Sequence, residues 1–69
     1  MNMTGLGGDE PLVVSPKGAA RLLSLGVTKI YELIAAQQLE SYRDGAARKI
    51  TVRSIKAYVE RQLEHARAT

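Results

Sequence analysis

A mainly α fold carrying one small β-hairpin is predicted by three features of this sequence. Two short helical stretches flank a Leu25-Gly26 turn, a basic segment is broken by Asp44-Gly45, and apolar residues recur at helical spacing from Val52 to Ala66. The chain has 69 residues, room for one small domain. Such a domain buries only about 60% of its unfolded surface and is marginally stable. It has no cysteine, so neither disulfides nor thiolate–metal sites can staple it.

The elements follow in order. Residues 1–11 are Gly-rich, with Gly5, Gly7 and Gly8, and are expected to form a flexible tail. Leu12-Val13-Val14 is a short apolar run that could be an edge strand or a plug over the core. Ser15-Pro16 reads as a helix start, because serine caps free N–H groups and proline suits the first helical position. This first helix is expected to run to about Ser24, with Pro16, Ala19, Ala20 and Leu23 on one face. Gly18 inside it costs up to about 1 kcal/mol against alanine, with no compensation visible in the sequence. Gly26 can either end the first helix in a left-handed conformation or open the second.

The second helix is expected over 27–37, with apolar Val27, Ile30, Tyr31, Leu33 and Ile34 opposed to Thr28, Lys29 and Glu32. Tyr31 is assigned to the core, its hydroxyl at the edge and able to meet a phosphate. Beyond Gln38 the period changes: Asp44-Gly45 signals a tight hairpin between strands at about 40–43 and 47–51. Thr51 can cap a third helix over 52–66, whose stripe is Val52, Ile55, Tyr58, Val59, Gln62, Leu63 and Ala66. Core packing is the simplest account of that stripe. Lys56 and Glu60 stand four apart on its other face. The order helix, turn, helix, basic hairpin, helix is a winged helix-turn-helix of three helices plus a wing. The domain is placed at 12–66, followed by a short C-terminal tail at 67–69.

Charge narrows the partners. Residues 1–10 hold Asp9 and Glu10 and no base, whereas residues 11–69 hold all ten Lys and Arg against five acids. A basic domain behind an acidic lead-in suits a polyanion. No stretch approaches the roughly 20 apolar residues that span a bilayer. The first ten residues lack the basic start and apolar core of a secretion signal, so a cytoplasmic, nucleoid-associated location is expected. Ser15, Ser24, Ser41 and Ser54 have no base beside them in the pattern, and His65 has no second His or Cys for a metal site. The glycines of the tail lack the preceding strand of a phosphate-binding loop. No catalytic, cofactor or metal site is therefore expected.

The stretches S-P-K-G-A-A-R-L-L at 15–23, L-G-V-T-K-I-Y-E-L-I at 25–34 and L-E-S-Y-R-D-G-A-A-R-K-I-T-V at 39–52 together resemble the excisionase family of winged helix-turn-helix proteins. That family is related in fold to the MerR DNA-binding domain. The segment T-K-I-Y-E-L-I, followed by L-E-S and the basic hairpin, is similar to recombination directionality factors of integrative and conjugative elements in rhizobia and related bacteria. The resemblance covers about residues 12–64. It implies a non-enzymatic, architectural role: binding an attachment-site arm as several copies side by side, bending the DNA, and helping a tyrosine integrase excise a mobile element. Many relatives also regulate transcription. This chain departs from the family at Val27, often Arg in relatives, at Ala46-Ala47, often an Arg run, and at Gly18, often Glu. The first two departures favour cooperative binding by several self-associating protomers over strong binding by one.

Candidate contacts to double-stranded DNA follow from the pattern. Thr28 and Lys29 lie in the first turn of helix two, where recognition helices reach base edges. Lys can donate to guanine, and Thr can touch a thymine methyl. Glu32, one turn on, can accept from cytosine N4, or pair with Lys29. Arg43, Arg48 and Lys49 flank the hairpin turn and can enter a minor groove or grip the backbone, or merely protect an exposed strand edge. Lys17 and Arg21, four apart on helix one, can meet phosphates. Each of these residues could otherwise be ordinary solvated surface. Two other functions stay open: a small transcription regulator of a prophage or conjugative element, and a protein–protein adaptor docking through helix three.

Overall fold

The computed structural model describes residues 10–68. The first nine residues of the expected tail, and Thr69, lie outside the described residues. The element order is β1 (Val13–Val14), α1 (Pro16–Leu23), α2 (Val27–Ala35), β2 (Ser41–Asp44), β3 (Ala47–Thr51) and α3 (Val52–Ala68). Three helices and a small antiparallel sheet make a winged helix-turn-helix, as the sequence predicts.

The run Leu12-Val13-Val14 contributes an edge strand. β1 pairs antiparallel with β3, Val13 opposite Thr51 and Val14 opposite Ile50, so β3 is central in the order β1-β3-β2. This pairing explains Gly18. A Cβ there would stand 3.1 Å from the Val14 Cβ and 3.4 Å from the Ser15 Oγ. The helix gives up the propensity of alanine so that β1 can lie against it.

Ser15 caps α1 as expected, its Oγ accepting from the Gly18 N–H at 3.0 Å, with Pro16 in the first turn. The helix ends at Leu23. Ser24, not Gly26, takes the left-handed conformation (φ 57°, ψ 42°), and the Leu25 N–H donates to the Ala20 carbonyl at 2.9 Å. Gly26 instead opens α2 with extended dihedrals (φ −76°, ψ 158°) and no side-chain cap. α2 stops at Ala35, two residues before the expected Gln37, because Gln37 itself turns left-handed (φ 61°). That turn sends Leu39 back into the core, where it is 3% exposed.

The hairpin register is Ser41 opposite Ile50, Tyr42 opposite Lys49, Arg43 opposite Arg48 and Asp44 opposite Ala47. Asp44 is thus the last paired residue, and Gly45-Ala46 form the two-residue loop. Only Gly45 has positive φ (64°), the pattern of a type II′ turn, which carries glycine at its first central position. Thr51 starts α3: its Oγ1 accepts from the Ser54 N–H at 3.3 Å, and Ser54 Oγ donates to the Thr51 carbonyl at 2.9 Å.

The core joins Ala19 and Ala20 of α1, Ile30 and Leu33 of α2, Leu39, Ile50 of β3 and Ile55 of α3. Ala19 is completely enclosed, which is why a small residue lets α1 approach its neighbours closely. Two expectations fail here. Tyr31 is not core but 49% exposed, since the α2 face that carries Ile30 and Leu33 turns it outward. The α3 stripe is only half covered: Val52 and Ile55 are buried, but Val59 and Leu63 are 39% and 44% exposed. The 17-residue helix continues to Ala68, and at 1.5 Å per residue its far end outruns so small a core. Lys56 meets Glu10, at 2.8 Å, rather than Glu60.

Candidate nucleic-acid interface

Residues on α2 are turned by their helical positions. At about 100° per residue, Ile30 and Leu33 fix the inward side, and Thr28, Tyr31, Glu32 and Ala35 fall opposite. All four are exposed, and so are Val27 and Lys29 on the flanks. Lys29 Nζ lies 4.0 Å from Glu32 Oε1, a loose contact between two half-exposed side chains. Such surface pairs contribute little, and either partner can turn to another ligand at small cost.

The wing is divided by its register. Side chains alternate across a strand, so Arg43 and Arg48 share the sheet face of buried Ile50, beyond the end of the core. Tyr42 and Lys49 oppose each other on the other face. Three cations that read as one ribbon in the sequence are therefore split two and one. Arg43 and Arg48 stand directly across from each other, an arrangement of like charges that destabilises a strand pair. Arg48 Nη1 donates to Ser41 Oγ at 3.2 Å on the same face. An anion placed between the two guanidinium groups would relieve the repulsion. Lys17 and Arg21 lie exposed on α1, one turn apart.

The basic residues fall into two sets. Among the described residues, Lys17, Arg21, Arg43, Arg48 and Lys49 take part in no ion pair. The cations of α3 are all engaged. Arg53 forks onto Glu40, Nε to Oε1 and Nη2 to Oε2, both at 3.1 Å. Lys56 pairs with Glu10, and Arg67 with Glu64 at 2.6 Å. Arg61 Nη2 donates to the Gln38 carbonyl at 2.8 Å. The sequence pattern did not single out these α3 contacts, because their partners are 13 to 46 positions away except for the Arg67–Glu64 pair.

Glu40 is the hub that fixes the wing to α3. Its carboxylate also accepts from Thr51 Oγ1 at 2.9 Å, its backbone N–H donates to Ser54 Oγ at 3.0 Å, and its carbonyl accepts from the Thr51 N–H at 3.0 Å. The Arg53 fork, and then the Thr51 hydroxyl, hold the Glu40 carboxyl below its ordinary pKa. The same pair raises that of Arg53. Glu40 thus locks the entry of β2 to the exit of β3, which sets where the wing stands.

Among the described residues no group of three or more His, Cys, Asp and Glu could hold a metal ion, and no helix is long and apolar enough to cross a membrane. The sequence model of a family described as a helix-turn-helix domain matches residues 13–63. That span covers β1 through most of α3. No curated protein and no solved structure gives a significant match to the chain.

Proposed function

This chain belongs to the helix-turn-helix family, and from that premise we propose that it is a sequence-specific binder of double-stranded DNA, of the excisionase or recombination-directionality type. On this reading several copies bind side by side on an attachment-site arm, bend it, and promote excision of a mobile element by a tyrosine integrase. The observation that carries DNA binding is the segregation of charge: the cations of α1 and the wing are without ion-pair partners among the described residues, whereas those of α3 are engaged within the fold. Thr28, Lys29 and Glu32 then face base edges in the major groove. Arg43 and Arg48 take phosphate or the minor groove beside it, Lys49 reaches the backbone from the wing's other face, and Lys17 and Arg21 meet phosphates. The excisionase assignment draws on the resemblance of residues 12–64. Self-association draws support from the uncovered Leu22, Val59 and Leu63, which lateral contact between copies would bury.

Footprinting on the element's attachment region, with and without integrase, tests the reading. Protection over adjacent sites with cooperative filling, and excision that depends on this protein, are expected. With roughly four to six phosphates neutralised, log K should fall against log salt with a slope of about −4 to −5. A flat salt response would sink DNA binding itself. Specific binding without any effect on excision would leave a transcription regulator.

A further inference from the structure

We infer that the outward side of α2 reads thymine methyl groups, through Val27, Thr28 and the ring of Tyr31, and that these are its specificity-determining residues. The inference rests on the DNA-binding reading above. Its basis is the chemistry of the exposed surface. α2 carries only two charges, Lys29 and Glu32, of opposite sign and 4.0 Å apart, so the helix is electrically neutral. A neutral helix gains little from phosphates. Beside that pair it exposes apolar surface: Val27 is 36% and Tyr31 49% exposed, one turn apart, and Thr28 beside them is exposed with its own methyl group. The chain has only three aromatic residues and no Phe or Trp, yet it leaves Tyr31 outside a core that has no fully buried aromatic. An aromatic ring turned outward, with Ile30 and Leu33 on the opposite face, leaves about half its surface uncovered by the fold.

In the major groove the one apolar feature that differs between base pairs is the 5-methyl group of thymine. Val27 and Thr28 open the helix, and the N-terminal residues of a recognition helix come nearest the base edges. Tyr31 follows one turn later on the adjoining face. A patch of one isopropyl, one methyl and one ring is suited to bury such methyls. Labour is then divided: α1 and the wing grip the backbone, and α2 adds apolar contact with thymine methyls to the polar contacts of Lys29 and Glu32.

The test uses the full chain and a random duplex library. Sequences enriched by binding are remade with each thymine replaced singly by deoxyuridine, which removes the methyl and leaves the hydrogen-bonding edge unchanged. At one or more positions the substitution should weaken binding about threefold to tenfold, the scale of one buried methyl. In Tyr31→Ala and Val27→Ala that sensitivity should shrink at the matching position, with folding verified by circular dichroism. Tyr31→Phe keeps the ring and should keep the sensitivity, which separates ring packing from a hydroxyl held by phosphate. Failure of the library to enrich any duplex would overturn DNA reading and this inference together. Enrichment with thymine and deoxyuridine bound equally at every position would overturn only the inference. So would loss of affinity in Tyr31→Phe by the same factor on both kinds of duplex.

Discussion

Ser24 and Gly45 both sit in the left-handed region of backbone space, at φ 57° and 64°, and only one of them is the residue that region favours. A side chain there costs about 1–2 kcal/mol, offset in part by the greater freedom glycine loses on folding. Ser24→Gly is therefore expected to stabilise the domain by about 0.5–1 kcal/mol, read as a raised midpoint in urea with an unchanged slope. Gly45→Ala should act in the opposite direction, by about 1 kcal/mol. No atom lies within 4 Å of the added Cβ, so the whole effect is backbone strain in the turn. A midpoint raised by that substitution would mean that the turn relaxes to another type. Gly18 obeys a different rule: its backbone is ordinary helix, and it is the closeness of Val14 that would crowd an added Cβ.

At the scale of elements, the wing is a hairpin secured at its base by one carboxylate. Glu40 is exposed, so its ion pair with Arg53 is screened by water, and its main effect is geometric. The lowered pKa gives the sign of its pH dependence. Its contribution is complete above the ordinary carboxylate range and is lost as pH falls through the depressed folded value. Glu40→Gln should lower the melting temperature near neutral pH, and the gap from the parent should close as pH falls toward 2. A gap of constant size down to acid would show that the carboxylate charge is not what holds the hairpin. The two arginines across the wing make the complementary case: Arg43 directly opposite Arg48 places like charges together, which destabilises the strand pair.

For the whole molecule, stability depends on very few side chains. Among the described residues only Ile30 and Ile50 of the large side chains are completely enclosed, and each joins elements distant in sequence. A domain of this size has about 3–10 kcal/mol of stability, and truncating a buried isoleucine costs about 2–5 kcal/mol. Ile50→Ala is therefore expected to leave a large unfolded fraction at 37 °C, seen as loss of the helical circular dichroism signal. A fully cooperative fold at that temperature would mean that the core repacks around the gap. The same thinness accounts for the uncovered end of α3: the apolar stripe of a 17-residue helix cannot be enclosed by a sheet of three short strands and two helices of eight and nine residues.

What the chain's order of residues determined by itself was local. The Ser15 and Thr51 caps, the helical spacing of Ala19, Ala20, Ile30 and Ile55, and the Asp44-Gly45 signal each act within a few positions, so the three helices and the hairpin were legible, as was the exposure of Thr28, Lys29 and Glu32. Tertiary structure decided the rest. Which side of α2 carries Tyr31, which cations α3 engages, and how the register divides Arg43 and Arg48 from Lys49 all depend on partners brought together by the fold. Even the reason for Gly18 lies in a strand packed against it. The physical reason is one of range: caps and turns are settled by neighbours in the chain, whereas burial and ion pairing are settled by neighbours in space.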